Sequence, residues 1–197
     1  MSAADDSAAL RECVRSGGVA VFPADTVYGL CCDPERESAV RRLYELKGRP
    51  PAKPAALMCF SLDVALGLLP ELGPRTRAAV EALCPGAVTL LLPNPERRFP
   101  LTGGELLGLR VIDVGLRLEL AVLQSSANDA GAGEARRLEQ VPEAIRAGAD
   151  LVIDGGELPG VASTVIDLSN YELDGRWRVV RAGAVGPEAL GQALRGR

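Results

Sequence analysis

GVAVFPADTVYGL, residues 18–30, is the stretch from which the rest of the chain is read. Gly18 to Pro23 is a short apolar run of the kind that forms a strand buried on both faces. Asp25, Thr26 and Tyr28 follow, ahead of Gly29, so polar groups are presented where an apolar strand meets a turn. An ordinary strand-to-loop turn uses the same residue types. Upstream, Asp5 to Arg15 carry a helical pattern closed by Gly17-Gly18, because glycine tolerates the left-handed cap. Downstream, Asp33 is placed to cap a helix with Pro34 in its first position. Ala39, Val40, Leu43, Tyr44 and Leu46 give that helix an apolar face, and Gly48 ends it.

The same alternation continues. Ala56 to Phe60 reads as a buried strand, followed by two short helices broken by Pro70 and Pro74. Ala87 to Leu92, Leu106 to Ile112 and Asp150 to Asp154 are further strand candidates. Ser163 to Leu168 and Trp177 to Arg181 are joined through Asp174-Gly175, a hairpin-turn dipeptide, and Pro187 starts a last helix. Crossover and hairpin connections together predict an α+β chain, a mixed β-sheet flanked by helices. No repeat or long linker interrupts it, and residues 1–197 are expected to form a single domain. Neither the GxxxxGK[ST] nor the GxGxxG fingerprint is present.

Composition narrows the chemistry. With 47% apolar residues and mixed charges the chain is globular, not disordered. No apolar run approaches the ~20 residues that span a bilayer, and the acidic start MSAADDSAALRE lacks the features of a signal peptide. The expected compartment is the cytoplasm, with no membrane partner. The odd cysteine set (Cys13, Cys31, Cys32, Cys59, Cys84) has no CxxC spacing and reads as reduced, mostly buried thiols. The absence of histidine removes Ser-His and Cys-His catalysis and the commonest metal ligand, so no protein-held metal is expected. A net charge of −4 argues against broad nonspecific binding of nucleic acid.

Three further segments resemble Pro23 to Leu30 in offering polar groups near apolar strands. KGRPPAKP, Lys47 to Pro54, sets Lys47, Arg49 and Lys53 on a segment stiffened by prolines. A helix C-terminal lysine complements the helix dipole, which accounts for Lys47 alone. The three cations together suit a polyphosphate. QSSAND, Gln124 to Asp129, follows the apolar Leu120 to Leu123. Its hydroxyls and amides serve a ligand's phosphates or a plain turn equally well. GVASTVID, Gly160 to Asp167, brings Ser163 and Thr164 to the start of a strand. Arg110 and Arg181 lie in or at the end of apolar strands, either as surface residues or as cations awaiting an anion. Cations, hydroxyls and amides without an obvious acid/base pair fit catalysis by positioning and charge stabilisation.

Read in order, PADTVYGL, KGRP, CPGAVT, LRVI, SSAND, STVID and VRAG resemble the motif series of the Sua5/YciO/YrdC family. The likeness covers about Gly17 to Gly183. It implies a twisted mixed sheet with a concave basic face, and the chemistry of a short, single-domain L-threonylcarbamoyladenylate synthase. That enzyme, an adenylyl-transferring nucleotidyltransferase, converts ATP, L-threonine and bicarbonate to threonylcarbamoyl-AMP and pyrophosphate, for the threonylcarbamoyladenosine modification of tRNA. By the same likeness Lys47 and Arg49 would be catalytic, and Lys47, Arg49, Lys53, Ser126, Asn128 and Arg181 would bind ATP. Thr26, Arg110 and Ser163 would hold threonine, Mg2+ would come with ATP, and the product would pass to separate transferase proteins. Double-stranded RNA or tRNA is a further implied partner.

The chain departs from the family pattern in places. Ala24 replaces a threonine, Ile112 a proline, SANDAG stands for Ser-Ala-Asn-Leu-Ser-Gly, and the Arg110 to Ser126 stretch is several residues short. Two other readings compete: an RNA-binding module without ATP turnover, and a carbamoyl-activating relative with another acceptor. The first is opposed by the acidic balance and by few aromatics for base stacking.

Overall fold

The computed structural model describes residues 3–48, 55–99, 101–129 and 133–195. The helices are α1 (Ala3–Arg15), α2 (Glu37–Lys47), α3 (Leu62–Leu68), α4 (Pro74–Leu83), α5 (Glu143–Gly148), α6 (Tyr171–Asp174) and α7 (Pro187–Ala193). The strands are β1 (Ala20–Pro23), β2 (Tyr28–Cys32), β3 (Ala56–Cys59), β4 (Val88–Pro93), β5 (Leu106–Val111), β6 (Val122–Ser126), β7 (Leu151–Val152), β8 (Thr164–Asp167) and β9 (Arg178–Arg181). Among the described residues the strands form one mixed sheet in the order β7-β1-β2-β6-β3-β5-β4-β8-β9. The β1–β7, β3–β5 and β4–β8 pairs are parallel, and the remaining pairs are antiparallel. A mixed sheet flanked by helices is therefore what the chain forms.

Alternation along the strands divides the core. Val19 and Val21 of the β1 region, with Tyr28, Leu30 and Cys32, pack toward α2 and α5. Leu57, Leu90, Leu109 and Ile166 lie under α3, α4 and α7. Leu57 is the direct cross-strand partner of Leu123, which belongs to the α2 side, so these two groups share one face of the sheet. Ala20, Phe22, Cys31, Met58 and Val122 point the other way, against Leu10 and Val14 of α1. That second face is covered by α1 only toward β1, which leaves room over β5, β4 and β8.

Local chemistry accounts for several boundaries. Gly48 takes φ 60° at the end of α2, and its N–H closes onto Glu45 O and Tyr44 O. Ser61 caps α3 by accepting from Val64 N. Ala39, Val40, Leu43 and Tyr44 are the buried face of α2, as its spacing predicts.

Other expectations need correction. α2 starts at Glu37, with no side-chain cap at Arg36. Asp33 instead accepts from Glu35 N at 2.9 Å and shapes a turn before the helix. Pro74 opens α4 and does not break it. Asp174-Gly175 is no tight hairpin. It ends the single turn α6, with Gly175 at φ 73°. β2 and β6, two central strands, replace what reads in sequence as turns at Tyr28–Gly29 and Gln124–Ser126.

All five cysteines are unbridged, and four of them are buried. Burial pushes the thiols of Cys32, Cys59 and Cys84 up to about 12. No helix among the described residues is long and apolar enough to cross a membrane.

Candidate active site

The uncovered half of the second face is a cavity of about 370 Å³. Its floor is sheet: Ala56 of β3, Gly108 and Arg110 of β5, Thr89 and Leu91 of β4, Val165 of β8 and Gln124 of β6. A Cβ on Gly108 would stand 3.1 Å from Ala56 Cβ, so glycine lets neighbouring strands stay level at this point.

The β1–β2 hairpin tip delivers Asp25 and Thr26 to one wall. Thr26 is buried, and Arg110, 85 residues away in sequence, reaches both tip residues. Arg110 Nη2 donates to Asp25 Oδ1 at 2.5 Å and lies 3.4 Å from Thr26 Oγ1. Its Nε is buried with no hydrogen-bond partner. Burial pulls the guanidinium pKa below its ordinary value, and the Asp25 carboxylate opposes the shift. Arg110 is thus an inward cation, the reading that its strand context left even with a surface role.

The neighbouring wall is built by β6 and the turn after it. Lys47, at the last position of α2, is only 4% exposed. Its Nζ donates to Asn128 Oδ1 at 2.5 Å, to Ser126 Oγ at 3.3 Å and to the Asn128 carbonyl. Ser126 Oγ donates to Asn128 Oδ1 at 2.6 Å. The cation therefore sits behind Ser126, which lines the cavity.

The opposite wall is the start of β8. Ser163 Oγ lies 2.8 Å from Thr89 Oγ1, and Arg181 Nη2 donates to the Ser163 carbonyl at 2.8 Å. A Cβ on Gly183 would fall 2.3 Å from the Ala162 carbonyl, so glycine after Arg181 lets β9 lie against this turn.

Of the residues singled out in sequence, Thr26, Arg110, Ser126, Ser163 and Arg181 line this one cavity, and Lys47 and Asn128 join it through Ser126. Arg49 and Lys53 lie outside the described residues. Thr89 and Glu134, to which sequence reasoning gave no role, line the same space, as does Gln124 of the QSSAND segment. Sequence reasoning also missed the Asp25–Arg110 pair. Thr89 reads as an ordinary strand position, and nothing local marks Glu134. Fixed cations, hydroxyls and amides around one cavity suit the binding and alignment of anionic groups.

Comparisons with known proteins agree with this architecture. The Sua5/YciO/YrdC family model, described as "Telomere recombination", matches residues 12–183. A Threonylcarbamoyl-AMP synthase of Pyrococcus abyssi is 33% identical over 80% of this chain and 49% of its own length. The chain thus spans about half of that relative. A Threonylcarbamoyl-AMP synthase of Chromohalobacter salexigens is 36% identical over 81% of this chain and 90% of its own. The crystal structure of P. abyssi Sua5 complexed with L-threonine superposes with a TM-score of 0.83 at 28% identity, covering 96% of this chain and 57% of that one. By family-model match, sequence and fold, the chain belongs to the Sua5/YciO/YrdC family.

Proposed function

We propose that this chain, acting as one domain, is an L-threonylcarbamoyladenylate synthase, an adenylyl-transferring enzyme that serves tRNA threonylcarbamoyladenosine formation. One observation carries the reading. A buried arginine, Arg110, with Thr26 and Ser163, shares a cavity with Ser126 and Arg181, and Lys47 stands directly behind Ser126. An amino-acid carboxylate suits the first group and a nucleotide phosphate the second.

Arg110, Thr26 and Ser163 hold threonine. Its amine takes up carbon dioxide derived from bicarbonate, forming a C–N bond and releasing a proton. A carbamate oxygen then attacks the α-phosphorus of ATP, and the bond to the β-phosphate oxygen breaks as pyrophosphate leaves. Lys47, Arg49 and Lys53 spread the charge on the phosphates, and Ser126, Asn128 and Arg181 fix the nucleotide. Magnesium enters with ATP, held by phosphate oxygens and water. The product passes to separate transferase proteins that modify tRNA.

The test is pyrophosphate release by the purified chain with ATP, Mg2+, bicarbonate and threonine, each omitted in turn. Release that needs all of them supports the reading. Release indifferent to threonine, or none at all, contradicts it.

A further inference from the structure

Glu134 brings the cavity a charge that none of the roles above uses. It lies on the wall, half-buried, and its Oε2 is sealed from water with no hydrogen-bond partner. The segment that carries it is pinned on both sides of the cavity rim. Ala135 O accepts from Tyr28 N at 2.9 Å, Leu158 N donates to Arg136 O at 2.8 Å, and Arg136 N donates to Gln140 Oε1 at 2.8 Å. The main chain next to Glu134 is thus held by backbone bonds to β2 and to the loop before β8.

Neighbouring cations are engaged elsewhere. Arg136 and Arg137, next along the chain, both pair with Glu157, at 2.9 and 2.7 Å. Arg110 pairs with Asp25 and Arg181 with the Ser163 carbonyl. A carboxylate oxygen withdrawn from water without a partner is costly to hold, and a ligand cation relieves that cost. The charged residues lining the wall are Arg110, Arg181 and Glu134. A polyphosphate alone calls for cations only. Two cations and an unpartnered carboxylate in one cavity match a zwitterion.

We propose that Glu134 is a specificity-determining residue that receives the α-ammonium of the substrate, so that the cavity selects a free α-amino acid over a carboxylic acid lacking the amine. The proposal rests on the amino-acid site described under the proposed function and deepens it. Arg110 takes the carboxylate end and Glu134 the ammonium end, which fixes the nitrogen's direction; the ammonium gives one proton to solvent, and the neutral amine is then carbamylated.

Titration calorimetry on the purified chain tests this with two ligands, L-threonine and its α-hydroxy analogue, which keeps the carboxylate and the side-chain hydroxyl but lacks the ammonium. Glu134→Gln conserves size and removes the charge. It should weaken threonine binding roughly ten- to a hundredfold, the range for loss of a charge-assisted hydrogen bond, and leave the analogue within about twofold. Unchanged threonine affinity overturns the proposal. Equal weakening of both ligands also overturns it, because the residue is then only structural. If Glu134→Gln does not fold cooperatively, Glu134→Ala is read by the same pair of ligands. Wild-type protein that binds neither ligand removes the amino-acid site itself, whereas wild type that binds threonine with an indifferent Glu134→Gln removes only the role of Glu134.

Discussion

Arg110→Met keeps the bulk of the buried side chain and deletes its charge, which leaves Asp25 without its 2.5 Å partner. The two side chains are 5% and 17% exposed, so the pair is largely withdrawn from water. Removing one member of a buried pair costs about 3–5 kcal/mol, mostly the penalty of the stranded charge. Asp25 keeps some contact with solvent, and Thr26 Oγ1 lies 3.5 Å from its Oδ1, so the lower end applies. The expected loss is about 3 kcal/mol, or roughly 6–12 °C in melting temperature for a chain of this size. Adding Asp25→Asn removes the stranded charge, and the double variant should recover about 2 kcal/mol of that loss. Denaturant unfolding of wild type, both single variants and the double variant closes the cycle. A single-variant cost below about 1 kcal/mol, or strict additivity, would show that the pair behaves as an exposed one and refute the reasoning.

Lys47→Met removes the cation behind Ser126, and threonine-dependent pyrophosphate release should fall about a hundred- to a thousandfold, as when a fixed charge-stabilising donor is lost; a folded variant with wild-type turnover would exclude Lys47 from the chemistry. Asp150 accepts from Arg42 at 2.6 Å and from Val19 N at 2.8 Å, and the Arg42 bond, then the backbone bond, hold its pKa below the ordinary carboxylate value. Its stabilisation is therefore present above the unfolded carboxylate value and lost as pH falls through the lower folded one. Asp150→Asn should cost about 1 kcal/mol at neutral pH, because the ion pair is well exposed, and the gap from wild type should close below about pH 4; a gap independent of pH would contradict the assignment.

The strands with unbroken apolar runs and the larger helices are legible because apolar runs and caps are local signals. β1, β3, β4 and β5 coincide with their apolar runs, and the buried face of α2 follows its spacing. The central strands β2 and β6 are not legible in the same way. Tyr28 and Gly29 and then Gln124, Ser125 and Ser126 carry turn-forming or polar chemistry, yet their backbones pair in the register Gly29↔Ser126. Tyr28 tolerates this because its hydroxyl lies 3.0 Å from Asp154 Oδ1 and accepts from Gly155 N, partners far along the chain. Lys47 shows the same limit from the other side. At the end of a helix it reads as a surface complement to the dipole, and only the fold brings Ser126 and Asn128 to it. Asp25–Arg110 and the unpartnered Glu134 are long-range or loop features with no periodic signature, so no reading of neighbours along the chain reaches them.

On the proposed function, one cavity joins an amino acid, carbon from bicarbonate and an adenylyl group. Incubating the purified chain with ATP, Mg2+, L-threonine and isotopically labelled bicarbonate, then separating the nucleotides and weighing them by mass spectrometry, tests it most directly. Threonylcarbamoyl-AMP should carry the label in its carbamoyl carbon, form in step with pyrophosphate and be lost in Arg110→Met. An adenylated product without the label, or threonine and bicarbonate recovered unchanged while the chain is folded and binds ATP, would contradict it.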